Sequence, residues 1–104
     1  MAVKLTADSF EREVLEASGL VVTDFFSDSC IPCKRMSPVL AELEEERSDV
    51  KFAKLNINFD GEIAKKFGVT AVPTLIFFKN GEEKARLTGA QKKAAIVEVI
   101  DKIG

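Results

Sequence analysis

Residues 20–33 have the sequence Leu20-Val21-Val22-Thr23-Asp24-Phe25-Phe26-Ser27-Asp28-Ser29-Cys30-Ile31-Pro32-Cys33. The first half of this stretch is a nearly continuous β-prone run, which is typical of a central parallel strand buried on both faces. From Ile31 to about Ser48 the apolar side chains recur instead at helical spacing. The stretch therefore predicts a buried strand that leads into a long helix, with Cys30 and Cys33 at the junction.

The segments on either side of this unit add further helices and strands. Helix caps, helical spacing, β-prone runs and an Asn-Gly turn predict them. They are a helix capped at Asp8-Ser9 and ending near Gly19, a strand over 51–57, a short helix over 60–67 closed by Gly68, a hairpin of strands 74–78 and 84–88 around Asn80-Gly81, and a final helix carrying Ile96, Val99, Ile100 and Ile103. We expect an α/β fold, with parallel units followed by the hairpin in a mixed sheet that has helices on both faces. Because no repeat or linker interrupts the chain, we expect one domain over residues 1–104.

The composition of the chain argues against several classes of partner and of chemistry. The chain has 15 Lys and Arg residues against 17 Asp and Glu, a net charge of -2, and no long block of like charge. We therefore expect no nucleic-acid or membrane partner. With no signal-like N-terminus and no apolar segment of the ~18 residues that would cross a bilayer, we expect a soluble, cytoplasmic protein. The absence of histidine excludes an imidazole base and histidine-bound zinc.

The two cysteines are the strongest candidates for chemistry. Cys30 is predicted at a helix N-terminus, where free backbone N–H groups and the nearby cations of Lys34 and Arg35 favour a thiolate. With two residues between them, the cysteines can close into a disulfide reversibly, and Pro32 is tolerated in the first helical turn. The alternatives are two packed hydrophobes or a static disulfide, half of a zinc site shared by two chains, or an iron–sulfur site in a dimer.

Six segments spread along the chain resemble the thioredoxin family. They are Val22-Thr23-Asp24-Phe25-Phe26, Lys54-Leu55-Asn56-Ile57, Phe67-Gly68-Val69, Val72-Pro73-Thr74-Leu75, Phe78-Lys79-Asn80-Gly81 and Thr88-Gly89-Ala90, together with the C-x-x-C pair. The resemblance implies a thioredoxin fold, a central mixed five-stranded sheet flanked by four helices. It also implies that Cys30 is the nucleophile, that Cys33 resolves the intermediate, and that the buried acid Asp24 manages protons for Cys33. A cis peptide bond is implied before Pro73.

The residues themselves support part of this site. Alternation along the strand places Asp24 on the face of Val22 and Phe26, where burial raises the pKa of a carboxyl group. The resemblance also suggests that Lys54 interacts with Asp24, although an ordinary exposed strand lysine is about as plausible. We expect no metal site, and we expect an apolar rim that docks extended polypeptide. The rim comprises Ile31, Pro32, Val72, Pro73, Gly89 and Ala90.

The sequence departs from the family at the active site. Thioredoxins typically have Trp before the first cysteine and Gly-Pro between the two, where this chain has Ser29 and Ile31-Pro32. We hypothesise a non-standard partner reductase or an altered reduction potential. Our interpretation is a monomer that reduces protein disulfides without a bound cofactor and receives electrons from an external thioredoxin reductase. The alternatives are an oxidant or isomerase, a glutaredoxin-like enzyme, and a non-catalytic binding subunit.

Overall fold

The structure is a computed structural model that describes residues 2–103. Along the chain these residues form β1 (Val3–Leu5), a π-helical segment (Glu11–Leu15), β2 (Leu20–Phe26), α1 (Ile31–Glu46), β3 (Lys51–Asn56), α2 (Gly61–Lys66), β4 (Thr74–Lys79), β5 (Glu82–Thr88) and α3 (Lys93–Ile103). The elements expected from the sequence are all present; several of their ends coincide with the expected ones, and the others are displaced by no more than four residues. The predicted mixed five-stranded sheet with four helices is confirmed.

The strands lie in the order β1-β3-β2-β4-β5, with β2 at the centre. β1 and β2 run parallel to β3, whereas β4 runs antiparallel to both β2 and β5. The expectation of parallel units followed by the hairpin in a mixed sheet is confirmed, since β1, β2 and β3 are parallel and β4 and β5 form the antiparallel hairpin. Because β4 is antiparallel to β2, it begins at the edge of the sheet where β2 ends.

Each face of the sheet carries its own hydrophobic core. The face covered by α2 and the π-helical segment buries Leu5, Phe10, Val14, Val21, Phe25, Ala53, Leu55, Ala64, Ile76 and Phe78. The face covered by α1 and α3 buries Leu20, Val22, Met36, Leu43, Val50, Phe52, Leu75, Phe77, Ile96 and Ile100. Consecutive residues of β2 and of β4 contribute to opposite cores, which is why both strands are almost uniformly apolar.

The N-terminal region differs from the prediction in two ways. The π-helical segment has Phe10 as its N-cap residue and no side-chain cap hydrogen bond there, so the expected cap at Asp8-Ser9 is wrong. In the turn before it, Ser9 N–H donates to Thr6 Oγ1 and Thr6 N–H donates to Ser9 Oγ, which is the reciprocal pattern of a capping box. The short strand β1 was not located by the residue pattern, since three residues are too few to show a period of two.

The hairpin turn has the expected chemistry. Asn80 and Gly81 both have positive φ, 51° and 84°, as the favoured two-residue turn requires. Gly81 also lies against the backbone of Leu15, whose carbonyl oxygen would be 2.5 Å from any Cβ at this position. Among the residues described, no helix is both long enough and apolar enough to cross a membrane.

Candidate active site

Three strand ends meet at one edge of the sheet and define the site. β2 ends there, β4 begins there and β5 ends there, as the pairings of Phe25 with Thr74 and of Thr74 with Thr88 show. The chain leaves β2 at this edge and reaches Cys30 four residues later. The topology therefore gathers the cysteine loop, the segment before β4 and the segment after β5.

Cys30 and Cys33 form a disulfide in the first turn of α1, with their Cα atoms 5.2 Å apart. Cys30 is the N-cap residue, and its Sγ accepts a hydrogen bond of 3.1 Å from the Cys33 backbone N–H. Because a helix N-terminus presents unpaired N–H groups, this contact favours negative charge on Cys30 after reduction. Cys30 is 9% exposed and Cys33 5%, so Cys30 is the more exposed of the two residues.

Hydrogen bonds hold the loop between β2 and the disulfide. The hydroxyl groups of Ser27 and Ser29 are 3.2 Å apart, and Ser29 N–H donates to Ser27 Oγ. Cys30 N–H donates to the Ser27 carbonyl oxygen, and Asn56 Nδ2 donates to Asp28 Oδ1. The loop is therefore anchored to itself and to the end of β3.

Asp24 is buried in the central strand beneath this loop. It is 8% exposed, and burial raises its pKa from 3.8 to about 7, with the positive charge of Lys54 acting in the opposite direction. Within residues 2–103, its Oδ1 atom has no hydrogen-bond partner. The expected burial of Asp24 is thus confirmed, and a pKa near neutrality suits proton transfer.

A cleft of about 170 Å³ connects Asp24 with the second cysteine. Its lining residues are Asp24, Phe26, Ser27, Asp28, Cys33, Lys34, Ser37 and Lys54. Cys30 does not line this cleft, so the buried carboxyl group lies on the side of the site that faces Cys33. A cleft of this size can hold a water molecule beside both Asp24 and Cys33.

Lys54 lies half-buried in the same cleft, not on an open surface. It pairs with Asp24 across the parallel strands β3 and β2, and its Nζ atom lies 5.9 Å from the centroid of the Phe26 ring. The sequence left open whether Lys54 was an ordinary surface lysine. The structure places it where its charge acts on Asp24.

The six residues of the predicted rim differ in exposure. Ile31, Pro32 and Ala90 are exposed, Val72 and Gly89 are half-buried, and Pro73 is buried. The Val72–Pro73 bond is cis, as the resemblance implied, and Gly89 N–H donates to the Pro73 carbonyl oxygen at 2.7 Å. This hydrogen bond joins the segment before β4 to the segment after β5.

Sequence reasoning missed several residues of the site. Ser37 lines the cleft, and its position four residues after Cys33 in a helix was a sufficient signal. The contact of Met36 with Gln91 was also missed, in which Met36 Sδ accepts a hydrogen bond from Gln91 N–H. No local sequence pattern predicts a contact between two residues that lie 55 positions apart. Among the described residues, no group of three or more Cys, Asp or Glu side chains could hold a metal ion.

The fold and the site define the class of protein. A disulfide between Cys30 and Cys33 caps α1 beside a mixed five-stranded sheet, next to a buried acid and a cis proline. This is the thioredoxin fold with a dithiol/disulfide site. The thioredoxin family model matches residues 1–102.

Similar proteins cover the chain almost completely. A thioredoxin from Rickettsia bellii is 38% identical over 102 residues, covering 97% of both chains. A thioredoxin from Chlamydia caviae is 40% identical over 101 residues with the same coverage of both chains, and one from Mycobacterium tuberculosis is 39% identical over 102 residues, covering 97% of this chain and 88% of its own. The chain belongs to the thioredoxin family and is a dithiol/disulfide oxidoreductase of the thioredoxin type.

Proposed function

We propose that this protein reduces disulfide bonds in other proteins, with Cys30 as the attacking sulfur, Cys33 as the resolving sulfur and Asp24 as the base for Cys33. One observation carries the assignment of roles. Asp24 and Cys33 line the same cleft, whereas Cys30 caps α1 and is the more exposed cysteine. The sulfur that meets a substrate and the sulfur that exchanges a proton with a buried acid are thus separated.

The proposed reaction proceeds in two exchanges. The Cys30 thiolate attacks one sulfur of the target disulfide, so that a Cys30–target bond forms and the other target sulfur leaves as a thiolate that takes a proton from water. Asp24, as its carboxylate, then accepts the thiol proton of Cys33. The Cys33 thiolate attacks the Cys30 sulfur, the Cys30–target bond breaks, and the second target sulfur leaves as a thiolate that takes a proton from protonated Asp24 or from water. The target has gained two electrons, and Cys30 and Cys33 have become a disulfide.

The rim supports the docking of an extended polypeptide substrate. Within residues 2–103, no hydrogen bond involves the backbone N–H or carbonyl group of Val72, which immediately precedes the buried Pro73. An extended segment can pair with such groups as an added strand. Ile31, which is 63% exposed, supplies an apolar contact beside Cys30.

The remaining assignments follow from the same proposal. An external thioredoxin reductase returns two electrons to the disulfide, and the protein acts as a cytoplasmic monomer of one domain, residues 1–104, without a bound cofactor. Ser29 is exposed where the family typically has Trp. A large aromatic contact with the reductase is therefore missing. The partner is then a non-standard reductase, or the reduction potential is altered.

The first test is the reduction of insulin by dithiothreitol in the presence of the protein. The intact protein should accelerate precipitation of the insulin B chain, and Cys30→Ser should abolish the acceleration. Cys33→Ser should retain one attack and accumulate a mixed disulfide with the target, which mass spectrometry detects. A mixed disulfide that forms instead in Cys30→Ser would reverse the roles of the two sulfurs. No acceleration by the intact protein would favour a binding subunit.

The role of Asp24 needs a second measurement. In Asp24→Asn the first attack should keep its rate, whereas release of the mixed disulfide should slow by about 10²-fold, within the range for one general base. Stopped-flow kinetics between pH 5 and pH 9 separate the two steps. An equal effect on both steps would show that Asp24 supports the site only structurally.

A further inference from the structure

Met36 makes a specific contact across the site, and this contact has no part in the reaction proposed above. It lies in the first turns of α1, three residues after Cys33, and is only 1% exposed. Its Sδ atom accepts a hydrogen bond from the Gln91 backbone N–H at 3.1 Å. Gln91 belongs to the segment between β5 and α3, so this contact joins that segment to the helix that carries both cysteines.

The same segment is also fixed from its other side. Gly89 N–H donates to the Pro73 carbonyl oxygen, and the Gln91 side-chain amide donates to the carbonyl oxygens of Thr88 and Gly89. The segment from Thr88 to Gln91 is therefore held between α1 and the loop before β4. It carries Gly89 and Ala90, two of the rim residues.

The contact depends on the sulfur and not only on the shape of the side chain. A thioether sulfur is a weak hydrogen-bond acceptor, whereas an aliphatic side chain of the same length has no acceptor atom. Replacing the sulfur by carbon would preserve the packing of α1 against the sheet but would leave the Gln91 N–H without this partner. The segment would then lose this hydrogen bond to α1 and keep the Gly89–Pro73 hydrogen bond and the pairing of Thr88 with Thr74.

We propose that Met36 is a positioning residue that holds the Thr88–Gln91 segment against α1 and so sets how well the rim binds a polypeptide substrate. The proposal rests on the function proposed above, because it is tested through the binding of a polypeptide substrate to the rim. It predicts a separation of two effects. Loss of the thioether should weaken binding of a polypeptide disulfide, while the reaction with a small reductant, which needs no rim, should be unchanged.

The chain offers a clean way to remove only the sulfur. It contains two methionines, Met1 and Met36, so growth on norleucine replaces both thioethers by methylene groups of nearly the same shape. The matched control is Met36→Leu prepared with and without norleucine, in which only residue 1 changes. Protein prepared with selenomethionine keeps a chalcogen acceptor and should behave as the methionine form.

Three readouts decide the proposal. In the norleucine form the Gln91 amide should exchange with solvent about tenfold faster, and KM for insulin should rise about threefold, as expected for loss of one weak hydrogen bond. The kcat for insulin and the rate of reduction by dithiothreitol should stay within about 1.5-fold. Unchanged Gln91 exchange, unchanged KM or equal losses with insulin and dithiothreitol would each overturn the proposal. If no form of the protein reduces insulin, the proposed function fails, and the Gln91 exchange rate still decides whether Met36 holds the segment.

Discussion

Asp24 and Lys54 lie directly opposite each other across the parallel strands β2 and β3 and line the same cleft as Cys33. Burial holds the pKa of Asp24 at about 7, and the Lys54 charge keeps it from rising further. The carboxyl group therefore changes its charge close to neutral pH. The stability of the protein and the chemistry of Cys33 are consequently both sensitive to pH in that range.

The first prediction concerns stability. Because the folded state raises the pKa of Asp24 from 3.8 to about 7, ionisation of this group opposes folding. The penalty is absent below about pH 4, grows through the window between the two values and is complete above about pH 7, where it reaches about 4 kcal/mol. Urea unfolding of oxidised protein should therefore show that Asp24→Asn gains stability over the parent by about this amount between pH 4 and pH 8.

Asp49 provides a control for that experiment, because its ionisation changes the stability of the protein in the opposite direction. Hydrogen bonds from Arg47 lower the pKa of Asp49, so ionised Asp49 favours folding. Asp49→Asn should therefore lose stability relative to the parent as pH rises through the range in which this carboxyl group ionises. A constant difference between Asp24→Asn and the parent at every pH would contradict the assignment of a raised pKa to Asp24.

The second prediction isolates the role of Lys54. Removing its charge in Lys54→Met leaves burial unopposed, so the pKa of Asp24 should rise above about 7. A titration of the Asp24 carboxyl carbon by NMR measures this pKa directly. Lys102→Met, in which an exposed lysine of α3 is changed, is the control and should leave the midpoint in place. A midpoint that stays or falls in Lys54→Met would show that Lys54 does not act on the carboxyl group.

The third prediction concerns the partner reductase. Ser29 is exposed and its hydroxyl group contacts only the neighbouring Ser27 among the hydrogen bonds of the loop. Ser29→Trp should therefore be tolerated, and it should speed reduction by a conventional NADPH-dependent thioredoxin reductase several-fold, measured as NADPH oxidation. Ser48→Trp, beyond the far end of α1, is the matched control. Equal rates for the parent and Ser29→Trp would refute the idea that the missing aromatic residue restricts the partner.

The fourth prediction compares two glycines with similar backbone conformations. Gly81 and Gly68 have φ of 84° and 67°, but only at Gly81 would a Cβ collide with another residue, the carbonyl oxygen of Leu15. Gly68→Ala should cost about 1–2 kcal/mol from the left-handed backbone alone. Gly81→Ala should cost about 3 kcal/mol or more, because the hairpin must also move away from the π-helical segment. Thermal unfolding of both variants checks the order, which equal losses would contradict.

The sequence was informative wherever a local pattern decides the structure. A period of two along β2 predicted that Asp24 is buried, and the C-x-x-C spacing before a helical stripe predicted that Cys30 begins α1. The Asn80-Gly81 turn was equally local. In each case the physical cause lies within a few residues of the position concerned.

The features that the sequence missed or left open depend on distant parts of the chain. The sequence left open whether Lys54 interacts with Asp24, because their pairing depends on the register of two strands. The contact between Met36 and Gln91 arises only when α1 and the end of β5 are both in place. No pattern of local propensity contains such information.

The position of β2 at the centre of the sheet has a consequence for how the protein comes apart. Fraying begins at edges and termini, and the edges here are the three-residue strand β1 and the exposed strand β5. The segment that presents Cys30 follows directly after β2, which has a neighbouring strand on each side, and we expect β2 to be among the last parts of the molecule to open. Amides of Val22 to Phe25 should therefore exchange only through global opening, and the oxidised site should keep its shape until the whole domain unfolds.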